Sequence, residues 1–313
     1  MTLPVVDVGA TDPDRLLATL VAHGAILCVD ASVPAATCDA MLRDAAEFFA
    51  LPAPAKAALA IERSTCFRGY SRMHGERDWR EQMHFGPERA AAAAPGEPPF
   101  DRLLGPNLWP AGAGWRQRVL AYVAAVERVG ARLLGGIAAA LGCRAEPWLG
   151  AEPYVLTKCI GYHPQPGAAV RLRGVAAHLD FSLLTLTLQD DVGGLETRRP
   201  DGSWAPVPTL RGGWLVNMGE LLQYVTGNRL VATPHRVVNP STVRRRVSVP
   251  VFVNPSLDTE LRCERAPVAW SAPAAEHVHA VLDPAAPPPA LHFGRAEWAR
   301  KGRGVWCRQC VAG

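Results

Sequence analysis

The sequence predicts an α+β fold that is mainly β, in which a helix-rich first half is followed by a jelly roll or a barrel. Apolar residues recur at helical spacing through residues 115–141, which indicates one long amphipathic helix. From about Tyr154 onward, short β-like runs alternate with turn residues. Glycine and proline number 28 each, so many turns are expected. Short strands separated by such turns are typical of double-sheet jelly rolls and barrels.

The first half combines two short β-like runs with several helical segments. The β-like runs are residues 3–8 and 25–29. Apolar periodicity and capping residues predict helices at residues 12–22, 34–50, 56–61 and 115–141. Asp12 or Asp14 is expected to cap the first helix, and Gly142 to end the last one. Residues 67–88 show no clean period, and residues 90–99 favour a loop because alanines run into Pro-Gly-Glu-Pro-Pro.

The second half is expected to consist of strands and tight turns. The clearest strand candidates are residues 154–160, 183–188, 214–216 and 247–253. Asp201-Gly202 lies between two further candidates and predicts a hairpin turn. Residues 292–301 are expected to form a final helix.

Composition excludes several classes of protein. The formal net charge of +4 is small for 313 residues, and Arg244-Arg245-Arg246 is too short a basic run to indicate nucleic acid or a membrane surface. No basic leader and no apolar stretch of about 20 residues is present, so a cytoplasmic protein is expected. The eight cysteines follow no disulfide spacing. Cys307 and Cys310 form a C-x-x-C that we interpret as free thiols rather than a redox pair or half of a zinc site.

One pair of residues indicates a metal centre. His178 and Asp180 stand two apart on an extended segment, so their side chains point to the same face. His235 follows 55 residues after Asp180 and can supply a third ligand. Two histidines and a carboxylate, with open positions opposite them, suit a non-haem Fe(II) centre that activates oxygen.

A carboxylate clamp is predicted close to the third ligand. Arg246 and Ser248 share one face of a strand, where a guanidinium and a hydroxyl can bind the same carboxylate. Further landmarks along the chain are, in order, LPVVDV at 3–8, RGY at 68–70, GPNLWP at 105–110, YHPQP at 162–166, QDDVGGL at 189–195 and NMGE at 217–220. With these landmarks around them, the triad and the clamp resemble those of the iron- and 2-oxoglutarate-dependent oxygenases of the isopenicillin N synthase-like group.

The resemblance implies a fold and a division of the chain. The fold would be a distorted double-stranded β-helix, or jelly roll, with an N-terminal helical buttress. Residues 1–150 would be the helix-rich N-terminal region of this family, residues 151–260 the dioxygenase core, and residues 261–313 a C-terminal extension packing on that core.

The resemblance also implies the role of individual residues. His178, Asp180 and His235 would bind Fe(II), with 2-oxoglutarate and O2 as co-substrates. Arg246 and Ser248 would bind the distal carboxylate of 2-oxoglutarate, and Tyr162 would lie beside it. Plant members often carry Asn where this chain has Ile160, and Arg245 is a possible substitute for Arg246. Substrate contacts would come from Phe181, Phe252, Asn254, Met83 and His84.

The expected function is oxidation of an unactivated C–H bond of a small molecule, with release of succinate and CO2. An amino acid, a peptide-like compound or another secondary metabolite, as in antibiotic biosynthesis, is the expected substrate. The alternatives are an oxidase of the same fold that does not use 2-oxoglutarate, and an ethylene-forming enzyme. A non-catalytic binding module is disfavoured because the triad is intact. The reaction outcome and the oligomeric state stay open.

Overall fold

Two large β-sheets, a two-stranded sheet and a set of helices form the fold in a computed structural model. The structure describes residues 3–74, 78–90, 98–112, 114–164, 172–239, 241, 243–263, 282 and 287–303. The strands are β1 (Val5–Asp7), β2 (Ala25–Val29), β3 (Gly69–His74), β4 (Trp79–Phe85), β5 (Leu156–Tyr162), β6 (Leu172–His178), β7 (Leu184–Gln189), β8 (Leu195–Arg198), β9 (Trp204–Pro206), β10 (Trp214–Met218), β11 (His235–Asn239), β12 (Arg246–Val253), β13 (Glu260–Leu261) and β14 (Leu291–His292).

The helices mostly precede the strand-rich half. They are α1 (Pro13–His23), α2 (Ala35–Ala50), α3 (Ala53–Ala57), α4 (Trp115–Ala140), α5 (Glu146–Leu149), α6 (Glu220–Val225) and α7 (Phe293–Arg303), with short 3-10 turns at Ile61–Arg63 and Pro99–Leu103. Asp12 caps α1 by accepting from the amides of Asp14 and Arg15, as predicted. Among the described residues, no helix has the length and apolarity needed to cross a membrane.

The larger sheet has eight strands in the order β1-β2-β10-β7-β12-β5-β4-β3. The smaller sheet has four strands in the order β6-β11-β8-β9. A small apolar cluster that includes Ile160 and Val237 lies between them. The double-sheet arrangement confirms the predicted mainly β fold of the α+β class. The expected hairpin turn at Asp201-Gly202 connects β8 to β9.

The predicted helical buttress covers the outer face of the larger sheet. Most of the large core cluster lies between this sheet and helices α1, α2 and α4. Gly130 allows α4 to approach β12, because a Cβ there would lie 2.7 Å from Val253 Cγ2. Gly161 does the same for α2, since a Cβ would lie 2.7 Å from the Phe49 ring. Trp214 on β10 donates to the Tyr122 hydroxyl of α4 at 3.0 Å.

The segment without a clean period, residues 67–88, contains the antiparallel hairpin of β3 and β4. The sequence of β4 does not show the alternation typical of a strand, because one of its faces is buried in the core and the other lines a cavity. Met83 and Phe85 face the core, whereas Arg80, Gln82 and His84 line a cavity. Charged and polar residues on a covered face do not give the apolar alternation that predicts a strand.

Several expectations fall on residues outside the described ranges. They include Cys307 and Cys310, and most of the loop expected at residues 90–99. The division at residues 150 and 260 stays a prediction. Of the predicted C-terminal extension, helix α7 packs with Phe293 near Phe181, their ring centroids 6.1 Å apart.

Candidate metal centre

Two neighbouring strands of the smaller sheet bring the three predicted ligands together. His178 is the last residue of β6 and His235 is the first residue of β11. The two strands are antiparallel, and these two histidines are direct register partners. Asp180 follows two residues after His178, and its carboxylate turns back toward both rings. The sequence separation of 55 residues is thus closed by one backbone pairing.

The triad has the spacing of a metal site. Nε2 of His178 lies 3.7 Å from Asp180 Oδ1, and Nε2 of His235 lies 3.5 Å from Asp180 Oδ2. The imidazole centroids are 4.2 Å apart. All three potential ligand atoms lie within 4.8 Å of one another. Among the described residues, this is the cluster of His and carboxylate side chains that can hold a metal.

Backbone carbonyls orient both imidazoles. Nδ1 of His178 bonds the carbonyl of Ala176 at 2.9 Å, and Nδ1 of His235 bonds that of Thr233 at 3.1 Å. A carbonyl oxygen only accepts, so Nδ1 carries the proton in each ring. The Nε2 lone pairs are therefore free to bind a metal, as is usual for histidine ligands that are held from behind.

Two side chains hold the carboxylate of Asp180. Thr185 on β7 donates to Oδ2 at 2.6 Å, and Asn217 on β10 donates to the same oxygen at 3.0 Å. These bonds leave Oδ1 available to a metal. Neither residue was singled out from the sequence, although Asn217 opens the NMGE landmark at 217–220.

The surroundings of His178 and Asp180 favour the deprotonated forms of these two ligands. Burial, together with the neighbouring His235, lowers the pKa of His178 to about 3. Burial would raise the pKa of Asp180, but the two imidazoles and the bonds from Thr185 and Asn217 lower it to about 2. Neutral imidazole and ionised carboxylate are the forms that bind a divalent cation.

Arg246 and Ser248 lie together on β12, as the sequence predicts, with Tyr162 beside them on β5. The guanidinium is fully buried. Nε donates to the carbonyl of Gly193 at 2.6 Å, Nη2 to Gln189 Oε1 at 3.1 Å and Nη1 to Ser248 Oγ at 3.1 Å. Its carbon atom Cζ lies 4.8 Å from the centroid of the Tyr162 ring.

A cavity of about 890 Å³ connects the triad with Arg246. Of the expected substrate contacts, Phe181, Phe252, Asn254 and His84 line it. Met83 lies on the opposite face of β4, is fully buried and packs in the core cluster. The alternation of side chains along the strand explains why His84 and its neighbour Met83 point to different faces.

Ile160 and Arg245 differ in their position relative to the cavity. Ile160, at the position where plant members often carry Asn, lines the cavity, and Arg245 is not among the lining residues. Arg236, next to His235, pairs with Glu196 at 2.7 Å and stacks over Trp204.

No sequence pattern predicted the positive charges of this cavity. Its lining includes Lys158 of β5, Arg80 of β4, and Arg300 and Lys301 of α7. The sequence predicts Lys158 only as part of a strand, and residues 292–301 only as a final helix. Their convergence has no local signal, because it depends on three elements far apart in the chain.

Comparison with known proteins identifies the family. The sequence model described as "2OG-Fe(II) oxygenase superfamily" matches residues 151–255, and that described as "non-haem dioxygenase in morphine synthesis N-terminal" matches residues 3–112. A gibberellin 20 oxidase 2 from Oryza sativa is 30% identical over 280 residues, which cover 84% of this chain and 70% of the relative. The chain belongs to the 2OG-Fe(II) oxygenase superfamily.

Further relatives in sequence and in structure support this family assignment. A 2-oxoglutarate-dependent dioxygenase from Gibberella zeae is 31% identical over 245 residues, covering 70% of this chain and 64% of that protein. The crystal structure of a 2OG-Fe(II) oxygenase family protein from Caulobacter crescentus superposes with a TM-score of 0.76 at 26% identity, covering 96% of this chain and 98% of that one. The expected oxidoreductase class, the jelly-roll fold, Fe(II) and 2-oxoglutarate are thereby confirmed.

Proposed function

We propose that this oxygenase oxidises an unactivated C–H bond of a small molecule, with conversion of 2-oxoglutarate and O2 to succinate and CO2. The observation that carries the proposal is the free donor set at one cavity. Nε2 of His178, Nε2 of His235 and Oδ1 of Asp180 converge there, and a buried arginine lies in the same cavity.

In this proposal the triad holds Fe(II), and the clamp holds the co-substrate. Arg246 and Ser248 bind the distal carboxylate of 2-oxoglutarate, and Tyr162 lies beside it. The donor set fits the group, because two neutral nitrogens and one carboxylate leave open positions on Fe(II). The bound metal with 2-oxoglutarate and O2 supplies the oxidising power, and the protein supplies the placement.

The surrounding residues orient rather than react. Ala176 and Thr233 fix the two rings through their carbonyls, and Thr185 and Asn217 fix the carboxylate. Such supports hold ligand atoms within the narrow range of productive geometry. Phe181 and Phe252 give the cavity apolar walls that limit water near the reacting bond.

The substrate is proposed to be a small molecule, because the cavity of about 890 Å³ has the size of a small-molecule site. Phe181, Phe252, Asn254 and His84 are its proposed contacts. An amino acid, a peptide-like compound or another secondary metabolite fits this volume. The gibberellin 20 oxidase relative is named for a small-molecule substrate, which supports this class. The described cysteines carry free thiols, which supports a cytoplasmic location.

Calorimetry and product analysis test the proposal. Under anaerobic conditions, 2-oxoglutarate should bind once per chain, and only when Fe(II) is present. In air, substrate screening by mass spectrometry should find compounds that stimulate succinate release. His178→Ala should weaken Fe(II) binding by about 100-fold or more, because it removes a direct ligand. His23→Ala, at the end of α1, is the matched control and should bind Fe(II) normally.

Three results would contradict the proposal. Oxygen uptake that depends on a substrate but not on 2-oxoglutarate would indicate the oxidase. Ethylene in the headspace would indicate the ethylene-forming reaction. Normal Fe(II) binding by His178→Ala would reject the ligand assignment.

A further inference from the structure

Four cations on one side of the cavity have no role in the chemistry described so far. We call them the cationic wall, and they are Arg80, Lys158, Arg300 and Lys301. Among the described residues that line this cavity, the carboxylates are Asp78 and Asp180. Asp180 belongs to the triad, so Asp78 is the one other carboxylate among the described lining residues that can offset the four cations.

Three of the four members of the wall have a carboxylate of the protein within ion-pair distance. Arg80 Nη2 lies 3.5 Å from Asp78 Oδ1. Arg300 forms a two-pronged pair with Glu297, through Nε at 2.7 Å and Nη2 at 2.8 Å. Lys301 Nζ lies 3.6 Å from the same Glu297 carboxylate. Glu297 is almost fully buried, so this pairing lies inside the protein.

Lys158 is different. Within the described part of the chain, its ammonium has no carboxylate at ion-pair distance, and it lies 5.1 Å from the centroid of the Phe252 ring. Burial and the charges of Arg80, Lys301 and Arg300 lower the pKa of Lys158 to about 7. A partly buried cation without a counterion is costly, and an anionic ligand relieves that cost.

The register of the strands places Lys158 at the metal end of the cavity. Along β5, Lys158 and Tyr162 share the face that lines the cavity, and Tyr162 is the partner of Arg246. Lys158 and Tyr162 are four positions apart on this strand, which corresponds to about 13 Å. Phe252, beneath the ammonium, is the register partner of Thr185, which holds Asp180. An anion on Lys158 therefore lies near the metal centre and away from the clamp.

The surroundings of Lys158 describe the rest of the ligand. Phe252, Phe181, Leu156 and Phe67 give this part of the cavity aromatic and aliphatic walls. Burial keeps His84, the cross-strand partner of Lys158, neutral by lowering its pKa well below the usual range. One cation without a described carboxylate at ion-pair distance, set among apolar walls, fits a monoanion with an apolar body better than a zwitterion or a sugar.

Resting on the proposed function, we propose that the substrate is a carboxylic acid with an apolar body whose carboxylate pairs with Lys158. The carboxylate anchors one end of the molecule near the metal, so that a C–H bond of the apolar body is presented for oxidation. Lys158 is thus a specificity-determining residue that belongs to neither the metal triad nor the clamp.

Matched pairs of compounds test this inference by calorimetry on the anaerobic protein loaded with Fe(II) and 2-oxoglutarate. The probes are aryl- and alkyl-substituted carboxylic acids of six to sixteen carbons, each paired with its primary amide and with a phosphate monoester of similar shape. At least one acid should bind 10-fold or more tightly than its amide. Lys158→Met should abolish that preference, whereas Lys158→Arg should keep it. Arg244→Met, which removes an exposed cation, should also keep it.

The outcomes separate this inference from the proposed function. If the wild-type protein does not bind 2-oxoglutarate, the proposed function fails. If it binds 2-oxoglutarate but no acid binds better than its amide, only the carboxylate inference fails. Tighter binding of phosphate esters than of acids would also overturn it. So would a Lys158→Met variant that loses 2-oxoglutarate affinity while keeping the preference for acids. Thermal unfolding of each variant checks that it is folded.

Discussion

Replacing Arg246 by lysine tests the carboxylate clamp without removing its charge. Arginine has five N–H groups, and three of those of Arg246 go to Gly193, Gln189 and Ser248. One N–H on each terminal nitrogen remains, which allows a two-pronged contact with a carboxylate. An ammonium keeps the positive charge but cannot reproduce this planar pair.

The expected magnitude follows from losing one of the two charged contacts. A hydrogen bond to a charged group contributes about 1.5–3 kcal/mol. Arg246→Lys should therefore raise the dissociation constant of 2-oxoglutarate by about 10- to 150-fold. Because the Arg246 side chain is fully buried, solvent does not replace the lost contact.

Anaerobic titration of 2-oxoglutarate into the Fe(II) protein measures this change. Arg245→Lys and Arg244→Lys are matched controls one and two residues away, and Arg244 pairs with Asp191 at the surface. Both should bind 2-oxoglutarate like the wild type. Equal affinity in Arg246→Lys, or a larger loss in Arg245→Lys, would refute the clamp and shift the role to the neighbouring arginine.

Two further predictions concern the metal support and the cationic wall. Thr185→Val removes the 2.6 Å hydrogen bond to Asp180 and should weaken Fe(II) binding by about 10- to 100-fold. The control Thr187→Val, on the same strand, should bind Fe(II) like the wild type. Equal Fe(II) affinities of the two variants would show that the bond does not position the ligand. The affinity of a bound acid should be nearly constant from about pH 5.5 to 6.5, where the acid is ionised and Lys158 protonated, and should fall by up to about 10-fold per pH unit above pH 7, because Lys158, with a pKa of about 7, loses its proton there. In Lys158→Arg the affinity should stay flat to pH 9, and a flat wild-type profile would contradict the assignment. The charged or titratable groups that face Lys158 are Arg80, His84, Asp180, Arg300 and Lys301.

Local sequence patterns were sufficient for much of the fold. The apolar stripe predicted α4 to within one residue, since residues 115–141 were expected and Trp115–Ala140 was found. Asp12 and the Asp201-Gly202 turn act through neighbouring backbone groups, so their roles are readable from a few residues. The expected strand at residues 154–160 begins two residues later and extends to Tyr162, because its ladder with β12 reaches Arg246.

By itself, the sequence determined which residues are candidates for metal and carboxylate binding. H-x-D puts two ligands on one face, and Arg-x-Ser does the same for the clamp, because strand side chains alternate. The tertiary structure alone decided how these pieces meet. The pairing of β6 with β11 brings His235 to His178, and the register of β5 with β12 sets Tyr162 against Arg246. Lys158 and helix α7 lie more than 100 residues apart in the chain and meet only at the cavity, and no local pattern encodes such a contact.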